Sequence, residues 1–183
     1  HPRVISHYGN DQEFHELSGK MLCYTLYFMP GTPICYQGEE IGMTNVDYEN
    51  LNDFRDVEVY TEYNNFMAFG ASHEVAMQAL RDRARDNARN PFQWDNTLHA
   101  GFSEVTPWMN VNKNYHEINL ENEMKNPDSV YNTYKELFGI RKELEVANGK
   151  MDFLDIENEN SYIYINKLST CTLLVIANFN TPV

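Results

Sequence analysis

Two segments carry side chains of a kind and spacing that could do chemistry. In the first, Tyr36 to Gly42 (YQGEEIG), two adjacent carboxylates, Glu39 and Glu40, stand between an amide and two glycines. Paired acids with a flanking amide and glycines, directly after an apolar run, suit a polar binding site. The same composition also suits a loop that charges the start of a helix, and both readings stay open on composition alone. In the second, Arg85 to Asp95 (RDNARNPFQWD), Arg85 and Arg89 stand four apart among Asp, Asn and Gln, beside the indole of Trp94. Such a set can clamp a polar ligand, and it can equally form an ion-pair ladder.

These segments need elements to hold them. From Glu16 to Met29 the apolar positions Leu17, Met21, Leu22, Tyr24, Leu26 and Phe28 predict a well-buried helix that Pro30 and Gly31 end. Thr32 to Tyr36 is a short apolar run that reads as a buried strand, with the first polar segment at its carboxyl end. Helix, turn, strand and polar loop make half of an α/β repeat, whose ligands gather beyond the strand ends. Residues 45 to 65 read as a long loop with one helical turn from Asp56. Ser72 caps a helix running to Arg85, and 90 to 108 is loop. The stretch 127 to 144 is the clearest helix, with Val130, Tyr131, Tyr134, Leu137, Phe138 and Ile140 on its buried face. After Gly149 three strands follow, at 153–156, 162–166 and 172–179.

Composition narrows the function classes. The 183 residues hold 14 Lys and Arg against 27 Asp and Glu, a formal net charge of −13. A phosphate-backbone binder needs basic patches, so nucleic acid is set aside. With 42% hydrophobic and 13% aromatic residues the chain can build a core, and its mean hydropathy of −0.58 implies a generous polar surface. No apolar run approaches the roughly 20 residues of a membrane helix, and His1-Pro2-Arg3 has no signal-peptide layout. Cys23, Cys35 and Cys171 lie in apolar stretches without C-x-x-C spacing, which favours reduced, packed thiols. With no N-x-S/T triplet present, this fits a cytoplasmic setting. The glycines form no dinucleotide or phosphate loop and no nucleophile elbow, and the six histidines have no metal-binding spacing. The acids Asp47, Glu49, Asp53 and Asp56 lack the pattern of a calcium loop and read as a solvated face. The opening without Met and the apolar run close to Val183 suggest a piece of a longer protein.

Taken in order, Gly31-Thr32-Pro33, Tyr36 to Asn45, Arg85 to Arg89, Pro91, Gln93-Trp94-Asp95, Ala100-Gly101-Phe102 and Pro107-Trp108 closely resemble the oligo-1,6-glucosidase branch of the α-amylase superfamily, glycoside hydrolase family 13. Dextran glucosidases, trehalose-6-phosphate hydrolases and sucrose isomerases are its near relatives. Two positions depart: Asn90 stands where Thr is usual and Phe92 where Met is usual, a change expected in the wall near the substrate.

The resemblance implies an α/β fold, the closing part of a (β/α)8 barrel followed by the start of an all-β C-terminal domain. It assigns 17–29 to the seventh barrel helix, 32–36 to the eighth strand and the following residues to the eighth crossover. Residues 1–148 then belong to the catalytic barrel and 149–183 to the β domain. It also implies a retaining α-glucosidase acting on α-1,6 or α-1,4 bonds of short isomalto- or malto-oligosaccharides, without cofactor, metal, nucleic-acid or membrane partner. Such an enzyme uses a carboxylate nucleophile and an acid/base carboxyl about 5 Å apart, and the family places these, with a third carboxylate, before the position of His1. No catalytic residue is therefore expected in this chain, which by itself should be inactive. Arg85 is implied to reach the sugar in the glycone subsite, Glu58 to receive the aglycone sugar, and Arg89 to staple the loop. A non-catalytic carbohydrate-binding or scaffold relative, with Trp94 and Trp108 as sugar platforms, is the alternative. A second one, an ancillary heavy chain of an amino-acid transporter, would need a membrane helix and extracellular disulfides.

Overall fold

The computed structural model describes residues 1–154, 158 and 160–179. Six helices come first: α1 (Val4–Tyr8), α2 (His15–Tyr27), α3 (Val57–Ala68), α4 (His73–Arg83), α5 (Leu120–Lys125) and α6 (Val130–Glu143). Three strands follow: β1 (Lys150–Phe153), β2 (Ser161–Lys167) and β3 (Thr172–Asn178). Short 3-10 turns punctuate the long connections, among them Glu39–Ile41 and Arg85–Ala88.

Helices α2 and α6 pack through Cys23, Tyr27, Val130, Tyr134 and Leu137, with the Tyr27 and Tyr134 rings edge to face at 5.2 Å. Burying each large side chain contributes roughly 1.5–3 kcal/mol. The buried stripe of α2 differs from the expected one. Leu17, Tyr24 and Leu26 are exposed, while Ser18, Gly19, Leu22, Cys23, Thr25 and Tyr27 face inward. Small residues win because α6 comes close: a Cβ on Gly19 would sit 2.7 Å from the Val130 side chain. On α6, Ser129 caps the first turn, accepting from Asn132 N at 3.1 Å. Arg141 near its end is buried, and its Nη1 donates to Tyr27 O and, at 2.7 Å, to Met29 O, while Nη2 donates to Gly31 O. The carbonyls at the end of α2 have no helical partner of their own, so a guanidinium fork satisfies them.

Residues 32–36 correct the expectation of a strand. They pair with no described strand, and Ile34 is 82% exposed. A ladder needs a neighbour to take its N–H and C=O groups; here the Ile34 carbonyl instead accepts from Tyr27 Oη of α2 at 3.2 Å.

The loop expected over 45–65 is corrected as well, since α3 occupies twelve residues of 57–68. Asp56 caps it, accepting from Glu58 N at 3.1 Å, and Val59 locks it onto Met77 and Leu80 of α4 in a core shared with Tyr48 and Phe54. Ser72 caps α4 as anticipated, accepting from Val75 N. Of the cysteines only Cys23 is packed; Cys35 and Cys171 are exposed, and all three are free thiols.

The strands form one antiparallel sheet in the order β1-β2-β3, with Tyr164 opposite Val175 and Ile163 opposite Ile176. The first strand starts at Lys150 rather than Phe153; residues 155 and 156, expected in it, lie outside the described residues. One face, with Tyr164, Asn166, Val175 and Ala177, is buried. Tyr164 Oη donates to Thr25 O at 2.8 Å and Asn166 Nδ2 to Phe28 O at 3.0 Å, which joins the sheet to α2. No helix among the described residues is long and apolar enough to cross a membrane.

Candidate functional site

The segment from Arg85 to Ala88 is a 3-10 turn whose acid and amide are both fully buried. Asp86 Oδ2 accepts from Arg55 N at 2.7 Å and from Asp56 N at 2.9 Å, which fixes the entry into α3. Asn87 accepts from Val46 N at 3.0 Å and donates to Arg81 O at 2.7 Å, and its carbonyl receives Arg3 Nε at 2.8 Å. Buried polar groups hold only when satisfied in this way, and the result is a rigid hub joining three distant stretches of chain.

Arg85 leaves this hub half-buried and meets Asp56 as a two-pronged pair, Nε to Oδ2 at 2.6 Å and Nη2 to Oδ1 at 2.9 Å. Its Nη2 also lies 3.0 Å from Glu58 Oε2, on an exposed side chain in the first turn of α3. The two residues singled out as substrate contacts are thus neighbours in space. Among the described residues no hydrogen-bond partner takes Arg85 Nη1. The Arg85 guanidinium holds the Asp56 carboxyl below the usual carboxylate range, helped by the Glu58 N–H, while burial opposes the shift. Arg89 staples the same turn, with Nη1 3.4 Å from Asp86 Oδ1 and 3.5 Å from Asp56 Oδ2. Asp56, Asp86 and Arg55 were not singled out as site residues. The signal for Asp56 was present, an acid two residues before Glu58 at the start of a helical period.

The first segment wires inward. Glu39 Oε2 accepts from Tyr27 Oη at 2.8 Å, and Glu40 Oε2 accepts from Gly38 N at 2.7 Å. Burial pushes the Glu39 carboxyl up, although the Tyr27 hydroxyl pulls the other way. Gly38 takes φ 91° and Gly42 φ 65°, left-handed values that let the chain turn sharply on both sides of Glu39–Ile41. Beside this turn lies an open cleft of about 770 Å³, lined in part by Arg3, His7, Tyr8, Tyr36 and Glu39. Asn90 and Phe92 are buried: Asn90 donates to Tyr48 Oη at 2.9 Å, and Phe92 packs on Ile41 and Met43. Both departures from the family pattern are therefore packed against the chain's own core.

The remaining acids of the 47–56 cluster are engaged by neighbours. Asp47 pairs with Arg81 at 3.1 Å, Glu49 pairs with Lys113, and Asp53 accepts from Asn50 N at 2.9 Å. Asp56, by contrast, is buried rather than solvated. Among the described residues no group of three His, Cys, Asp or Glu side chains is placed to hold a metal ion.

A charged cluster borne on the long connection after a helix and an extended segment, in an α/β chain that ends in an antiparallel sheet, defines the class: the closing part of a (β/α)8-barrel enzyme and the start of its β domain. The pattern of the alpha-amylase catalytic domain matches residues 1–149, and the chain belongs to the α-amylase family, glycoside hydrolase family 13. It is 41% identical over 179 residues to an oligo-1,6-glucosidase of Halalkalibacterium halodurans, covering 97% of this chain and 32% of that protein. It is 44% identical over 180 residues to an oligo-1,6-glucosidase of Bacillus cereus, again 97% and 32%. The crystal structure of trehalose-6-phosphate hydrolase from Bacillus licheniformis superposes with a TM-score of 0.92 at 37% identity, covering 97% of this chain and 32% of that one. The chain therefore spans about a third of the length of the relatives it matches.

Proposed function

We propose that this chain is the closing part of a retaining α-glucosidase that hydrolyses α-1,6, or α-1,4, bonds of short isomalto- or malto-oligosaccharides. The similarity to two oligo-1,6-glucosidases over nearly every residue carries the proposal. In this reading residues 1–148 complete the catalytic barrel, 149–183 open the β domain, and the enzyme works in the cytoplasm without a cofactor.

Arg85 and Glu58 are the substrate contacts of this part. Asp56 occupies one edge of the Arg85 fork, so the guanidinium is aimed before a sugar arrives and loses little freedom on binding. Glu58 can accept hydrogen bonds from two hydroxyls of the leaving glucose and thereby selects the partner sugar. The nucleophile, the acid/base and a third carboxylate come from preceding chain, so the 183 residues alone have nothing to position. Two assays test this. The full-length enzyme should release glucose from isomaltose, while the purified 183-residue chain should release no nitrophenol from p-nitrophenyl α-glucoside above a boiled control. Hydrolysis by the chain alone refutes the division of labour. A full-length protein that binds oligosaccharides and cleaves none would be the non-catalytic relative instead.

A further inference from the structure

The exposed indole of Trp108 is unused by the contacts described so far. It is 70% exposed, whereas the next residue, Met109, is fully buried. An indole left in water on a mobile loop would be unremarkable, but this one is pinned. Trp108 O accepts from Arg55 Nε at 3.0 Å, and Asn110 O accepts from the buried Asn90 amide at 3.2 Å. Arg55 is itself held, its N–H on the Asp86 oxygen that also takes Asp56 N–H. Trp108 thus rides on the same frame as Arg85 and Glu58. Val57, between Asp56 and Glu58, is 77% exposed and extends the apolar surface of that frame. Trp94 makes the contrast: its ring lies 4.7 Å from that of Phe92, so one side is already committed to the core.

A pyranose ring offers an apolar C–H face with a rim of hydroxyls. A flat aromatic surface fits that face without asking for polar partners, and a backbone already fixed spares the ordering cost of binding. We propose that Trp108 is a stacking platform for the third glucosyl unit of a linear α-glucan, the unit beyond the one received by Glu58. This rests on the glucosidase assignment and makes the enzyme sensitive to chain length.

The test uses the full-length enzyme with p-nitrophenyl α-glucoside, isomaltose and isomaltotriose. Trp108→Ala should raise KM for isomaltotriose about tenfold while kcat for it, and both constants for the two shorter substrates, stay within about twofold. Trp108→Phe should recover most of the loss. An equal loss on all three substrates, with a lowered Tm, would make Trp108 a packing residue and overturn the platform, as would unchanged kinetics on isomaltotriose. If the wild-type enzyme cleaves none of the three, the glucosidase assignment fails. Retention on immobilised isomaltotriose then decides separately: weaker retention of Trp108→Ala than of wild type keeps the platform, and equal retention removes it.

Discussion

Two acidic pairs, each at the start of a helical turn, have opposite fates in this molecule. Glu39 and Glu40 sit between glycines, and their oxygens are taken by the Tyr27 hydroxyl and the Gly38 amide. Asp56 and Glu58 also begin a helix, but there one acid is buried against Arg85 while the other stands exposed beside the same guanidinium. The first pair closes a turn, and the second leaves a cation and an anion side by side, the pair proposed to meet the substrate. What separates them is an arginine gripped by Asp56, whose own N–H is held by the fully buried Asp86, and not the number of carboxylates.

The sharpest way to break this contrast is Arg85→Lys. Lysine cannot reproduce the two-pronged geometry, so kcat/KM of the full-length enzyme on isomaltose should fall about thirtyfold. A change within about threefold would make Arg85 a structural residue like Glu39.

Asp56→Asn keeps the cap on α3 and removes the charge. It should lower unfolding free energy by about 1.5 kcal/mol, a charged hydrogen bond discounted because Arg85 is half-open to water. Urea denaturation measures it.

Glu58→Gln should reduce kcat/KM on isomaltose about fivefold and on p-nitrophenyl α-glucoside less than twofold. Equal losses would indicate a disturbed loop, and no loss on either would leave Glu58 to solvent.

The smallest effect is expected at Glu39→Gln, with stability at pH 7 unchanged or raised by less than about 0.5 kcal/mol and activity intact. Its pH signature opposes that of Asp56. Arg85 depresses the Asp56 carboxyl, so the stability Asp56 contributes is complete above its unfolded value and drains as pH falls through the folded one. Burial raises the Glu39 carboxyl, so its contribution shrinks as pH climbs from the unfolded value through the folded one. Tm against pH for the wild type and the two variants should show the curves converging on the acid side in both cases, from opposite directions.

Local pattern revealed much of this molecule and missed what depends on distant partners. The 127–144 helix, the Ser72 cap and three terminal strands follow from spacing and cap chemistry. The long helix α3 was hidden because its surface is dense in Asn and Glu, and because its core contacts lie on α4 rather than within its own run. For α2, apolar residues outnumber the places that α6 and the sheet can cover, so Leu17, Tyr24 and Leu26 are left outside. The motif around Arg85 pointed to a site, yet Asp86 could be assigned its role only once the backbone amides of 55 and 56 were seen converging on it.

Arg141 has a consequence for how such a molecule can change over time. Its guanidinium reaches carbonyls 110 to 114 positions earlier in the chain and clips the end of α2 to α6. Everything between the two anchors, including Arg85, Glu58 and Trp108, is an excursion whose ends are fixed by a latch it does not help to make. Closing a longer excursion costs little, about 0.6 kcal/mol for each doubling. Lengthening its exposed turns, away from the packed cores and the buried Asp86–Asn87 hub, therefore costs little while the latch stays closed.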